Sequence, residues 1–181
     1  MTRVRILGAA IATCLLAATS AQAAVEITMH RVSPEGVGEV LGTVHLEDTE
    51  DGLLLMPGLS GLEPGAHGFH VHEYPLCDPE EKDGEMVAAG TAGGHYDPEG
   101  TGRHAGPDGD GHLGDLPLLE VNEDGIADTS VTAPRLTVDD LAGRSLIIHS
   151  GGDNYSDDPK PLGGGGERVA CGVGDFIPNP L

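Results

Sequence analysis

Histidines recur along this chain as His67, His70, His72, His95, His104, His112 and His149, with Asp115 among them. His70 and His72 stand two apart in Gly65-Ala66-His67-Gly68-Phe69-His70-Val71-His72-Glu73. In a strand, alternate residues point to one face, so both imidazoles can reach a single ion. His95, His104, His112 and Asp115 lie in a Gly/Pro-rich stretch that can wrap around a second ion. Imidazole suits copper, zinc, iron and nickel. If the strands carrying His70, His72 and His149 meet at the mouth of a sandwich, three nitrogens converge from rigid elements, which suits a metal that must keep its geometry through a redox change. His104, His112 and Asp115 offer three ligands from one loop, and His95 as a fourth closes a tetrahedral N₃O set that suits zinc. This donor capacity exceeds the needs of one structural site and points to two metals.

Other readings compete for these residues. His30 and His45 lie outside the cluster and read as ordinary surface or core histidines. His67, three residues before His70, points to the other strand face and reads as a packing residue or a support for the ligands. A histidine-rich storage tract is an alternative for the whole set, but such tracts are compositionally simple, and here each histidine has its own setting.

The elements that must position these donors are strands. Val25 to Arg31 alternates Val25, Ile27 and Met29 with Glu26, Thr28 and His30. Further strands are expected over Val37–Leu46 (with Gly42 as a bulge or flat spot), Gly52–Met56 ended by Pro57-Gly58, Ala66–Glu73, Leu116–Val121, Ile126–Val131, Ser145–Ser150 and Arg168–Val173. Asn122-Glu123-Asp124-Gly125 is a hairpin signal. Leu136 to Leu141 can make one helical turn. Short strands, frequent Gly and Pro and no long 3.6-residue period indicate an all-β sandwich or barrel in one domain. Two long loops interrupt it, Tyr74–Gly114 and Gly151–Glu167, and the first holds most of the second donor set.

Arg3 and Arg5, the uncharged apolar run Ile6–Thr19 and the small-residue pattern Ala21-Gln22-Ala23 read as an export signal, residues 1–23, cut near Ala23, with 24–181 as the mature domain. The run is too short to span a membrane comfortably, so no membrane anchor is expected. Beyond Cys14 in that run, the chain keeps Cys77 and Cys171, an even count that suggests one disulfide in an exported domain. Chain entropy puts its worth at up to about 4–5 kcal/mol. The net charge of −21 excludes nucleic acid and anionic membranes as natural partners. It also repels an anionic substrate unless local positive charge intervenes.

The chain resembles the bacterial exported copper/zinc superoxide dismutases. The resemblance rests on Gly68-Phe69-His70-Val71-His72-Glu73, Ala92-Gly93-Gly94-His95-Tyr96-Asp97-Pro98, His104-Ala105-Gly106-Pro107 and Gly109-Asp110-Gly111-His112-Leu113-Gly114-Asp115-Leu116, then Gly143–His149, Asp153 and Gly166–Val173. It implies a Greek-key β-sandwich or flattened barrel of about eight antiparallel strands, and dismutation of superoxide outside the cytoplasm, in the periplasm. It implies copper on His70, His72, His95 and His149, and zinc on His95, His104, His112 and Asp115, with His95 bridging. It makes Asp153 a link between His70 and His104, Cys77–Cys171 the disulfide, and Arg168 the anion-guiding residue. Lys160, in the second long loop, is a further candidate for steering. The family includes monomers and homodimers. A copper-delivery protein on the same sandwich would need neither the bridge nor the arginine, and a copper-only relative would lack the zinc loop.

Overall fold

The computed structural model describes residues 25–176; the expected export signal and the extreme C-terminus lie outside them. Among the described residues there are twelve strands: β1 (Val25–Ser33), β2 (Gly36–Thr49), β3 (Gly52–Ser60), β4 (Gly65–His67), β5 (Phe69–His72), β6 (Glu80–Lys82), β7 (Glu85–Val87), β8 (Leu119–Val121), β9 (Ile126–Ala127), β10 (Val131–Ala133), β11 (Ser145–His149) and β12 (Arg168–Val173). All ladders between them are antiparallel. The main sheet runs β10-β3-β2-β1-β12-β11-β5, with β9 on β3, and two-stranded sheets form from β4–β8 and β6–β7. The last strand lies beside the first of the β1-β2-β3 meander, the Greek-key order. Among the described residues no helix is long and apolar enough to cross a membrane.

The alternation of side chains decides what is buried. On β5, Phe69 and Val71 enter the main core with Leu146 and Ile148 of β11, Leu53 and Leu55 of β3, and Leu116 and Leu119. Truncation of a fully buried phenylalanine such as Phe69 costs about 3–5 kcal/mol. The opposite face of β11 and β12 is covered too: Ile147 and Cys171 pack with Val32, Ala88, Ala89 and Ala92, and Cys77 lies against them. Register irregularities after Met29 and after His30 move the inward side of β1 from Ile27 and Met29 in the main core to Val32 in this smaller cluster. Gly42 pairs with Met29 at this bulge, with φ 141° and no room for a Cβ beneath Gly58.

Several elements differ from the sequence expectation. Ala66–Glu73 is two strands: β4 pairs with β8, while β5 pairs with β11. The break falls at Gly68, whose N–H donates to Gly151 O at 2.7 Å and whose carbonyl accepts from His149 N at 2.8 Å. β3 runs through Pro57 to Ser60, with Pro57 opposite Val44. The Asn122–Gly125 turn forms, with the Asn122 side chain accepting from Asp124 N and Ile126 N. The strands it joins, however, leave for different sheets, β8 to β4 and β9 to β3. The helical turn is a short 3₁₀ segment, Val138–Leu141.

Candidate metal centre

Because Phe69 and Val71 fill the core, His70 and His72 face the other way. That face is roofed by the long loop, which docks on β5 through backbone bonds. Val71 N donates to Gly114 O at 2.9 Å, Tyr96 N to Val71 O at 2.8 Å and Gly114 N to Tyr96 O at 2.9 Å. These place His95 opposite His72 and Asp115 opposite His70. Gly114 lets the three backbones meet: a Cβ there would strike Val71 O and the Tyr96 backbone. His149, ending β11, completes the ring of side chains, and all of these residues are buried.

Donor atoms of His70, His72, His95 and His149 lie within 4.8 Å of one another, and a second group, His70, His95, His104 and Asp115, does the same. Asp115 Oδ1 is the focus of that second group: His95 Nδ1 is 2.9 Å away, His104 Nδ1 3.0 Å and His112 Nδ1 3.4 Å. His112 thus joins the carboxylate side at slightly longer range, while the stacked rings of His70 and His95, 3.9 Å apart, form the wall between the two groups.

The other ring nitrogens are fixed by the protein. His70 Nε2 and His104 Nε2 donate to the two oxygens of Asp153, at 2.8 and 2.7 Å. His72 Nδ1 donates to Gly93 O at 3.0 Å and His149 Nδ1 to Gly166 O at 3.2 Å. Such bonds set the orientation of an imidazole and leave one nitrogen free to coordinate. The free ones are His70 Nδ1, His72 Nε2, His95 Nε2, His104 Nδ1, His112 Nδ1 and His149 Nε2, all buried without a hydrogen-bond partner. Buried nitrogens are rarely left so; aimed at common points, they are what a metal would satisfy. His67 is not among them: its ring nitrogens lie 2.7 Å from the carbonyl oxygens of His149 and Glu63, so it braces the backbone of His149.

Charge follows burial. Desolvation holds His70, His72 and His149 neutral, below the usual histidine value, and lowers His95 to about 4. At His104 burial opposes the charged form, but the carboxylates of Asp115 and Asp153, one beside each ring nitrogen, outweigh it and raise the group to about 9. Both carboxylates are themselves desolvated, yet their histidine partners keep them well below the carboxylate range. Arg168, at the start of β12, donates to Ala89 O and Gly93 O, both at 2.6 Å. Cys77 and Cys171 are bonded, with Cα atoms 5.8 Å apart.

Sequence reasoning missed some supports. Asp157 accepts from His104 N at 2.9 Å, Tyr155 stacks its side chain where a Cβ on Gly106 would sit, and Arg135 binds the loop around His112. None has a spacing signature, because each acts on backbone.

The family model described as copper/zinc superoxide dismutase matches residues 40–174. This chain belongs to the copper/zinc superoxide dismutase family. Superoxide dismutase 2 of Salmonella typhimurium, a copper-zinc enzyme, is 58% identical over 161 residues, covering 88% of this chain and 93% of that protein. Among solved structures, the Cu/Zn superoxide dismutase from Brucella abortus superposes with a TM-score of 0.81 at 52% identity, over 83% of this chain and 98% of that one. The monomeric copper, zinc superoxide dismutase from Salmonella enterica gives 0.75 at 56% identity, over 83% and 99%. The cofactors of this superoxide dismutase are copper and zinc, and its reaction turns two superoxide anions and two protons into dioxygen and hydrogen peroxide.

Proposed function

We propose that copper is held by His70 Nδ1, His72 Nε2, His95 Nε2 and His149 Nε2, and zinc by His95 Nδ1, His104 Nδ1, His112 Nδ1 and Asp115 Oδ1. The single observation behind this division is the set of buried nitrogens without a hydrogen-bond partner, His70 Nδ1, His72 Nε2, His95 Nε2 and His149 Nε2 on one side and His104 Nδ1 and His112 Nδ1 on the other, with His95 Nδ1 turned to Asp115 Oδ1 at 2.9 Å. When bound, copper supplies a one-electron couple and zinc a fixed positive charge. The residues supply the rest. His95 presents a nitrogen to each group, so its Nε2 is the atom that can take up and return a proton while Nδ1 stays on the Asp115 side. Asp153 orients His70 and His104 together. Arg168 is the guiding residue: its guanidinium is fixed by the Ala89 and Gly93 carbonyls beside His72 and gives a strongly acidic chain a local point of attraction for an anion.

Residues 24–181 form the working domain, exported to the periplasm after loss of residues 1–23. The relatives are bacterial enzymes, and the disulfide fits an oxidising compartment. A monomer is the assembly we favour, the state named for the Salmonella enterica relative. Anomalous scattering at the copper and zinc edges from crystals of the metal-loaded protein tests the ligand assignment. One copper within the four-histidine set and one zinc at Asp115 are expected; zinc in both positions in a fully active protein overturns it.

A further inference from the structure

Arg135 follows β10, outside both long loops, between Ala133 and Leu136, each 2% exposed. Its backbone is therefore anchored in the main core. Its guanidinium is not paired with a carboxylate in the zinc region; it points at the backbone of the segment between His104 and His112. Nε donates to Pro107 O at 2.8 Å and Nη1 to Gly111 O at 3.1 Å. Nη2 donates to Gly106 O at 3.2 Å and to His112 O at 2.5 Å.

This segment turns back on itself. His112 N donates to Arg103 O at 2.8 Å and Gly109 N to Gly106 O at 3.3 Å. The approach is so close that a Cβ on Gly109 or Gly111 would strike Ala105 or Arg103. A reversed loop of this kind satisfies few of its own carbonyls, and those shielded from water need donors. A guanidinium brings five N–H groups in one rigid plane, enough to engage several carbonyls at once.

We infer that Arg135 is a positioning residue for the zinc ligands. It gathers four carbonyl oxygens of the loop, one of them belonging to His112 itself, and so holds His104 Nδ1 and His112 Nδ1 at Asp115 Oδ1 before zinc arrives. It touches neither metal nor substrate. This inference rests on the assignment of zinc to His95, His104, His112 and Asp115.

The test is a competition for zinc between the metal-loaded, disulfide-bonded protein and a chromophoric chelator, at a pH and temperature where each variant is folded. Arg135→Gln removes most of the donors and raises the zinc dissociation constant roughly 10–100-fold, the range seen when the outer partners of metal ligands are lost. Arg135→Lys keeps the charge but has a single ammonium that cannot span the four oxygens, and falls between Arg135→Gln and the parent. Cobalt(II) in place of zinc gives a spectroscopic readout: the visible bands of both variants weaken or shift from those of the parent. A merely structural arginine would lower the urea midpoint and leave zinc affinity and the cobalt spectrum of the folded protein unchanged. If Arg135→Gln does not fold, Arg135→Lys decides by the same criteria. Zinc constants within about twofold of the parent in the folded variants, against the 10–100-fold expectation, overturn the inference. His112→Ala separates the two levels. Zinc retained at parental affinity in that variant would overturn the ligand assignment itself, whereas zinc lost there but kept by the Arg135 variants overturns the positioning role alone.

Discussion

Arg168 Nη2 donates to the carbonyl oxygen of Gly93 at 2.6 Å. The same oxygen accepts from His72 Nδ1 at 3.0 Å, so one carbonyl orients both the guanidinium and an imidazole of the four-histidine set. Burial lowers the Arg168 pKa from its ordinary value, yet an arginine stays charged at any working pH. A fixed cation therefore stands at the edge of the histidine ring.

Arg168→Glu slows superoxide capture while both metals remain. Local steering changes association rates by roughly 10–10³-fold and fades with salt. Pulse radiolysis across a salt series is expected to show the largest loss at low ionic strength, with a salt dependence weakened or reversed relative to the parent. Equal rates at every salt concentration would place guidance elsewhere, with Lys160 the next residue to test.

His149→Ala abolishes dismutation and leaves zinc bound. His149 belongs to the four-histidine set and makes no contact with Asp115 among the ion pairs that gather His95, His104 and His112. Elemental analysis with a superoxide-consumption assay checks this; a variant that keeps most of its activity would show that copper is held without His149.

Unfolded, unreduced mature protein carries no thiol that labels, since Cys77 and Cys171 are bonded across 94 residues. Reduction is expected to lower stability by about 2–5 kcal/mol, read from urea midpoints with and without reductant. Two labelled thiols per mature chain, or an unchanged midpoint, would contradict this.

The metal-free protein has a stability optimum near neutral pH. Burial depresses the folded pKa of His70, His72, His95 and His149 below 6.5, with His95 at about 4. The unfolded chain therefore binds more protons than the folded one as pH falls from 6.5 to 4, and stability drops. His104 has the opposite sign: its folded value is raised to about 9, so its contribution is complete below 6.5 and is lost as pH rises through about 9. Urea midpoints of the disulfide-bonded, metal-free protein should rise from pH 4 towards 6.5 and fall again towards 9; a flat profile would mean the site is open to water without metal.

The donor set was legible because metal chemistry restricts residue type and because a strand repeats every two residues, so His70 and His72 announce themselves. The fold class followed from the same alternation. Local pattern could not show that the strand breaks at Gly68, since an apolar residue and a histidine stand on either side of it and glycine there is equally consistent with a flat spot. The passage of β3 through Pro57 was hidden because proline is normally read as a strand end. Arg135 escaped notice because its partners are carbonyls, which every residue possesses; only the folded path of the loop brings four of them to one side chain.

The order of strands has a kinetic consequence. β5 finds its partner only when β11 is made, and Asp153, which orients His70, lies 83 residues later in the chain. Such non-local pairing places folding among the slower, millisecond-to-second topologies. An emerging polypeptide carries His70 and His72 long before His149 exists, so it offers a two-nitrogen chelate rather than the finished cage. The four-histidine set is therefore complete only once β11 has been made and has paired with β5.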